Sequence, residues 1–444
     1  MFIPKNVNYI IGKLYDNNFE GFMIGGCVRD SLLYRTPKDY DITTNALPQN
    51  IINIFEKTIP TGIKHGTVTV ILNKNSYEIT TYRIDGVYIN NRSPKGVIFV
   101  EDIKKDLSRR DFTINAMAYN NYFKLIDCFN GREDLKKQIV RTVGNSDIRF
   151  KEDALRMLRA IRFAAQLDFT IEKETFESIK RNKNLIENIS IERVREEFCK
   201  ILLTSKPSKG LTLLEESGLL EIILPEIQSL VNFDQRTPYH NKDIFKHTLH
   251  CLDNIENNLI LKLSALFHDV GKPKCFTLDE KGFGHFYGHN NESEKLTINI
   301  LKRLKFDNDT IKSISILVKE HINILVNPKD SAIKKLINRV GIDLIFDLYK
   351  LQKADIKAST PPFLLLDNIS YLENKTKEFF ETKEPIGSKD LNIDGTDLIK
   401  SLSIKPGKIV GIILNKLLDV ILDNPSLNTK ETLLNLSKEI LKSL

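Results

Sequence analysis

The stretch that most constrains the fold is Phe22-Met-Ile-Gly-Gly26, running into Cys27-Val-Arg-Asp-Ser-Leu-Leu33. A short apolar strand that meets two glycines and then a helical pattern must turn tightly. Glycines there let backbone N–H groups approach a phosphate without interference from Cβ. Arg29 falls one turn inside that helix, where its guanidinium adds a charged fork for the same phosphates. Lys38-Asp-Tyr-Asp-Ile-Thr43 follows. If Asp39 to Thr43 is extended, Asp39 and Asp41 point to one face and Tyr40 to the other. Paired carboxylates on one face suit two Mg²⁺ ions, which activate an attacking hydroxyl and clamp a transferring phosphoryl group. An isolated Asp-x-Asp reads as a polar surface turn; the glycine–arginine element just upstream is what favours a site.

The rest of the chain predicts an α+β head with a small mixed β-sheet, followed by all-α segments. In the head, Val7 to Tyr15 and Val28 to Leu33 read as helices. Phe22 to Ile24, Val68 to Leu72 and Tyr77 to Tyr82 read as strands, the last two joined by the turn Asn73-Lys-Asn-Ser76. Four parts are expected from 444 residues: a head over 1–140, a helical neck over 141–235, a histidine-rich block over 236–362 and a helical tail over 363–444. The boundaries rest on Thr237-Pro238 and Pro361-Pro362. An apolar content of 41% supports cores and excludes a membrane protein, and the net charge of +7 suits a polyanionic partner. The most apolar late stretch, Ile409 to Leu422, is broken by Asn415, Lys416 and Asp419, so no membrane span is expected. No secretory pattern opens the chain. The five cysteines are scattered and form no Cys-x-x-Cys pair, which points to reduced thiols in a cytoplasm.

The head motifs continue through Gly62-Ile-Lys-His-Gly-Thr-Val68, Tyr77-Glu-Ile-Thr-Thr-Tyr-Arg83, Asp106-Leu-Ser-Arg-Arg-Asp-Phe-Thr-Ile-Asn-Ala116 and Asp127-Cys-Phe-Asn-Gly131. In this order they resemble the class II nucleotidyltransferases, which include bacterial CCA-adding enzymes and poly(A) polymerases. The resemblance implies that Asp39 and Asp41 ligate Mg²⁺ and that Gly26, Arg29 and Arg110 contact the nucleotide. Adjacent Arg109 and Arg110 would neutralise triphosphate charge and fix the leaving pyrophosphate. Glu78 and Asp111 are both candidates for a third carboxylate.

From Glu152 onward a helical pattern carries Asp153 and Arg156 three apart, as neighbours on one face, with Arg159 and Arg162 in further steps of three. A carboxylate beside a guanidinium offers acceptors next to donors. Cytosine and adenine each show an amino donor beside a ring-nitrogen acceptor, so both fit one fixed pair. Uracil and guanine show the reverse order, and leaving buried polar groups unpaired costs about 1–3 kcal/mol each. By itself such a helix reads as an ordinary charged face. The resemblance implies that Asp153 and Arg156 select the base, and that Arg159 and Arg162 add nucleotide contacts. Ile191-Glu-Arg-Val-Arg-Glu-Glu197 resembles a family motif that braces the neck, with Arg193 and Glu197 spaced for a helical ion pair. The turn-rich stretch Arg83 to Pro94 corresponds to a segment the family needs for the switch from C to A addition.

Six of the eight histidines fall between His247 and His321. His247, His268-Asp269 and Asp355 resemble the HD metal-dependent phosphohydrolases, with His289 and His321 available for a second position. Imidazole and carboxylate suit a second divalent metal of the Mn, Fe, Ni or Zn kind. A fold kept only to hold RNA is the competing reading. The tail, with Asn392-Ile-Asp-Gly-Thr-Asp-Leu398 and Ile404-Lys-Pro-Gly407, resembles the family's region that grips tRNA by shape and backbone charge. The expected function is template-independent addition of CCA to tRNA from CTP and ATP, with no membrane and no protein partner implied. Poly(A) synthesis, CC-only or A-only addition, and an HD phosphohydrolase as the main activity are the alternatives.

Overall fold

The computed structural model describes every residue except 2, 87, 90, 92, 237–242, 360–364 and 383. The expected boundaries at Thr237-Pro238 and Pro361-Pro362 lie outside the described residues, as does Arg92. The chain divides into two compact units, Met1–Gln228 and Ser229–Leu444.

The first unit is built on a seven-stranded mixed sheet. Its strands are β1 (Gly21–Ile24), β2 (Ile42–Thr44), β3 (Thr58–Gly62), β4 (Thr67–Leu72), β5 (Asn75–Thr81), β6 (Met117–Asn120) and β7 (Lys124–Asp127), in the order β7-β6-β1-β2-β5-β4-β3. All neighbours are antiparallel except β2 and β5, whose parallel register sets Ile42 opposite Ile79. The residues one step upstream, Asp41 and Glu78, therefore sit side by side at the same end of the sheet. Every residue of β1 is buried, and Phe22 and Ile24 pack with Tyr82, Leu107 and Ala118. The β4–β5 turn is tighter than the sequence suggests. Asn73 and Lys74 both take positive φ, +52° and +65°, while Asn75 and Ser76 already pair with Leu72 and Ile71. Two consecutive left-handed residues match the twist of the flanking strands.

The helix after β1 starts at Gly26, two residues earlier than its apolar pattern suggests, because Gly25 turns the chain at φ +76°. In the neck, the helix Leu155–Leu167 buries Leu155, Leu158, Ile161 and Ala165 at helical spacing and packs on the helix Ile191–Leu202. The preceding helix, Ser146–Glu152, does not run into it. Asp153 is extended, at φ −136° and ψ 104°, and breaks the two apart. Its carboxylate accepts from the N–H of Leu155, a local bond that competes with helix continuation. The N–H of Ala154 donates to the carbonyl of Asn91.

The second unit is helical. The helices Ile244–Asn254, Leu259–Phe267, His289–Arg303, Asn308–Glu320 and Ile345–Ala358 surround the histidines. The tail helices Gly395–Leu402, Lys408–Asp423 and Lys430–Lys442 share a separate core of Leu398, Ile413, Leu417, Ile421 and Leu433. Among the described residues no helix is long and apolar enough to cross a membrane.

Asp127 accepts from the N–H groups of Gly131 and Arg132 at 2.8 and 2.9 Å, which draws Gly131 against the Thr113 carbonyl. A Cβ at position 131 would lie 2.2 Å from that oxygen. Gly131→Ala is expected to cost about 1–3 kcal/mol, read as a lowered thermal midpoint. An unchanged midpoint would mean that the Thr113 turn yields freely.

Candidate active site

Two cavities meet at Asp41. The larger, of about 660 Å³, is lined by Lys38, Asp39, Tyr40, Asp41 and the β5 residues Ser76, Tyr77 and Glu78. Asp39 to Asp41 precedes β2 without being part of it, so the expected alternation is lost and Tyr40 faces the same cavity as the two aspartates. Asp41 is crowded by protein, and this desolvation raises its pKa; Arg110 offsets part of the rise, while Glu78 and Asp39 add to it. Asp39, Asp41 and Glu78 thus line one opening, and carboxylate oxygens are the donors a hard divalent cation takes.

The second cavity, of about 320 Å³, is lined by Gly25, Gly26, Arg29, Asp41, Arg110, Asp111, Asn115, Arg159, Arg162, Phe163 and Gln166. Five residues expected to contact nucleotide, Gly26, Arg29, Arg110, Arg159 and Arg162, thus line one space. Gly25 has to be small, since a Cβ there would sit 3.1 Å from Nη1 of Arg110 at φ +76°. Arg29 donates to Asn115 at 2.8 Å, and Asn115 donates to Asp111. Asp111 also accepts from Arg159 at 2.6 Å and from its neighbour's N–H at Phe112. Beneath this network Phe163 receives Arg29, Arg159 and Arg162 at 5.1, 5.5 and 4.3 Å from its ring centre. Asn115, Phe163 and Gln166 were not expected from sequence. Phe163 reads there as one more apolar position of its helix, although its place directly after Arg162 was a usable signal.

Of the two adjacent arginines only Arg110 faces this space. Arg109 turns to Asp106 at 2.8 Å and lies near Asp85, lining a separate small cavity with Arg149 and Glu152. Asp106, fully buried, also lies 3.5 Å from Arg110.

Asp153 and Arg156 line neither of these two cavities. They are not stacked on one helix face, because Asp153 occupies the break. Asp153 pairs with Arg193 at 2.9 Å. Arg156 pairs with Glu152 at 2.6 Å and donates to the carbonyls of Arg109 and Arg149. Arg193 and Glu197 do not form the expected helical pair. Both reach across to the neighbouring segment, Glu197 taking Arg162 at 3.2 Å. Lateral packing of two helices offered better-buried partners than the exposed i,i+4 geometry.

In the second unit the six expected side chains converge. One group joins His247, His268 and Asp355; the other joins Asp269, His289 and His321. Asp269 reaches both, with Oδ2 3.2 Å from His268 and Oδ1 3.4 Å from His289. His268, His289 and His321 each donate Nδ1–H to the carbonyl three residues earlier, which turns every Nε2 inward. The Nε2 atoms of His289 and His321 are then 3.4 Å apart. Two inward lone pairs that close call for a cation, and this orientation is how metal-ligating imidazoles are held. Burial alone would lower the pKa of His268, but Asp269 and Asp355 push it up to about 9, the same demand for positive charge. Lys272 and Gln235, not singled out from sequence, stand beside the centre, with Lys272 2.7 Å from Asp269 and 3.0 Å from Gln235.

The family model described as the Poly A polymerase head domain matches residues 21–141. Models for the RNA and SrmB binding site of polymerase A and for tRNA nucleotidyltransferase domain 2 match residues 168–230 and 286–436. Head, carboxylates and arginine-lined cavity together define a nucleotidyltransferase of the poly(A) polymerase type. The CCA-adding enzyme of Ligilactobacillus salivarius is 35% identical, over 98% of this chain and 96% of its own length. That of Staphylococcus haemolyticus is 33% identical over 98% and 97%. The crystal structure of the Bacillus stearothermophilus CCA-adding enzyme with CTP superposes with a TM-score of 0.75 at 27% identity, covering 100% and 99% of the two chains. The chain belongs to the CCA-adding enzymes, a family of tRNA nucleotidyltransferases that depend on divalent metal.

Burial would raise the pKa of Asp111, but Arg159, with help from Arg156 and Asn115, lowers it from 3.8 to about 2. A depressed carboxylate contributes stability that is present above its unfolded value of 3.8 and lost as pH falls through about 2. At neutral pH the contribution is about 2 kcal/mol. Arg159→Met leaves that charge unpaired, so acid unfolding followed by circular dichroism is expected to move to higher pH. A midpoint that stays in place would mean that Asn115 and the Phe112 N–H suffice.

Proposed function

We propose that this chain rebuilds the CCA end of tRNA from CTP and ATP by dividing the work between the two cavities that share Asp41. Asp39, Asp41 and Glu78 hold divalent ions on the carboxylate side, and Mg²⁺ suits three oxygen donors best. Asp111, already engaged by Arg159, is the poorer third ligand. When bound, the metal supplies activation of the attacking hydroxyl and neutralisation of phosphate charge. Gly25 and Gly26 open the backbone to the triphosphate, and Arg29, Arg110, Arg159 and Arg162 bind and orient it. The 3′-oxygen of tRNA forms a bond to the α-phosphorus, the bond from that phosphorus to the bridging oxygen breaks, and pyrophosphate leaves while the hydroxyl proton is lost. Asp153 and Arg156 select the base by their acceptor and donor edges, without a nucleic-acid template. To do so Arg156 must turn from Glu152 toward the nucleotide, while Asp153 stays on Arg193.

The four-part reading of head, neck, histidine-rich block and tail goes with this division, the tail gripping tRNA. Five free thiols support a cytoplasmic reading. Complete CCA addition is favoured over poly(A) or partial addition because relatives matched along nearly the whole chain are CCA-adding enzymes. The observation that carries the reading is Asp41 at the junction of the carboxylate and arginine cavities. The test is extension of a tRNA lacking CCA, with Mg²⁺ and with CTP, ATP, UTP and GTP singly and in combination. Addition of C, C and A followed by a stop is expected, with Asp41→Ala losing at least about 10³-fold in rate and Glu78→Gln about 10–100-fold. A long adenylate tail or free use of UTP would overturn it.

The histidine centre favours a second activity. Its six nitrogen and oxygen donors fit two ions of the Mn, Fe, Ni or Zn kind sharing Asp269, and such a pair suits hydrolysis of a phosphoester at an RNA end. Purified protein is expected to carry about two divalent ions in this unit by elemental analysis. Asp269→Ala should lose both, along with hydrolysis of bis-p-nitrophenyl phosphate, while tRNA extension continues. Metal-free protein after growth and dialysis in Mn, Fe, Ni and Zn would reduce the centre to a scaffold.

A further inference from the structure

Arg193 lies 40 residues beyond Asp153 and in a different helix, yet it holds that carboxylate with both ends of its fork: Nη2 is 2.9 Å from Oδ2 and Nη1 is 3.5 Å from Oδ1. The Leu155 N–H holds Oδ1 from the other side at 3.1 Å. Asp153 sits in the break between two helices, so no helix face sets the direction of its side chain. Arg193 is therefore the one side chain among the described contacts that fixes the plane of the carboxylate. Arg156, the donor half of the pair, is held independently by Glu152 and by the carbonyls of Arg109 and Arg149. The same face of the helix Ile191–Leu202 carries Glu197 one turn on, and this residue grips Arg162 and Lys200 instead. One helix thus presents two separate teeth, one aimed at the base-selecting carboxylate and one at the triphosphate side.

We propose that Arg193 is a specificity-positioning residue: its planar fork sets the plane of the Asp153 carboxylate so that the remaining lone pairs meet the amino group of cytosine or adenine and oppose the carbonyl of uracil or guanine. The inference rests on the reading of Asp153 and Arg156 as the base-selecting pair. Selection between an amino donor and a carbonyl acceptor is directional, and a carboxylate free to rotate or swing away loses both the bond to the correct base and the clash with the wrong one. Loss of the fork acts on the acceptor half alone. It raises KM for CTP and ATP, lowers it for UTP and GTP, and changes kcat for CTP little. A guanidinium presents a fork that an ammonium cannot, so lysine at this position keeps the charge and not the plane.

The experiment compares kcat/KM for CTP and UTP on a tRNA lacking CCA, in the full chain and in Arg193→Met, Arg193→Lys, Glu197→Gln and Asp153→Ala, with thermal midpoints alongside. Arg193→Met and Arg193→Lys are both expected to lower the CTP to UTP ratio about tenfold or more, through KM, whereas Glu197→Gln weakens both nucleotides in proportion. If Arg193→Met lowers both nucleotides equally, as Glu197→Gln does, Arg193 only braces the neck and the proposal is overturned. Full selectivity in Arg193→Lys overturns it as well, since charge would then suffice. If Asp153→Ala itself keeps the wild-type ratio, the base-selecting role of Asp153 is wrong and the inference falls with it. If Asp153→Ala loses the ratio and Arg193→Met keeps it, only the role of Arg193 is wrong.

Discussion

Asp111 and Arg159 meet at 2.6 Å, one from the connection between the helix Ile103–Ser108 and the strand Met117–Asn120 of the head and the other from the neck helix Leu155–Leu167. Asp111 is buried while Arg159 is about a third exposed, and a pair of that kind gains little over an apolar contact, since desolvation of the carboxylate consumes most of its attraction. Its consequence is placement. With Arg159 drawn to Asp111, and Asp111 tied through Asn115 to Arg29, the neck helix presents Phe163 and Arg162 opposite Gly25 and Gly26. The cavity between them exists only in that arrangement. Removing Arg159 would leave the buried Asp111 charge without its guanidinium and release the wall of the site together with its stability.

The arginines are sorted by the acids around them. Asp106 and Asp85 take Arg109 away from the nucleotide cavity, Glu152 takes Arg156, and Glu197 takes Arg162 without withdrawing it from the cavity wall. Arg29, Arg110, Arg159 and Arg162 remain around one space, and the Phe163 ring beneath Arg29, Arg159 and Arg162 softens their mutual repulsion. Such a concentration of guanidinium groups is an unfavourable feature of the empty fold and a favourable one for a polyanion, which is the difference a binding site needs. The carboxylates Asp39, Asp41 and Glu78 line the larger cavity together with Lys38 and Lys74, and Asp41 is the residue that cavity shares with the arginine-lined one.

How much of this was legible in the sequence depended on the range of each contact. Gly25-Gly26, Arg29, Asp39 and Asp41 are set within a few residues of a strand end, and short motifs describe such geometry well. Whether Glu78 or Asp111 stands beside Asp41 could not be read that way, because the parallel register of β2 on β5 places one and a contact with Arg159 occupies the other. The continuous helix expected from Glu152 onward is helical by composition. It breaks at Asp153 because a carboxylate bonds the Leu155 N–H and a distant carbonyl, that of Asn91, takes the N–H of Ala154. The pairing of Arg193 with Glu197 was a sound local expectation that lost to partners across a helix interface. The divergence of Arg109 from Arg110 likewise depends on Asp85 and Asp106, and adjacency in sequence says nothing about it.

The two metal-suited centres differ in donor chemistry, and that difference keeps them separable. The head offers oxygen alone, from three carboxylates on an open surface, where a hard ion that retains several waters is accommodated. The histidine centre offers three imidazoles whose Nδ1–H groups are already spent on carbonyls, with Asp269 set between two ligand groups. Softer transition ions gain there and Mg²⁺ does not. One chain can therefore fill both centres from a mixed pool of cations without either ion displacing the other. The pool that fills the carboxylate centre need not be the one that fills the histidine centre.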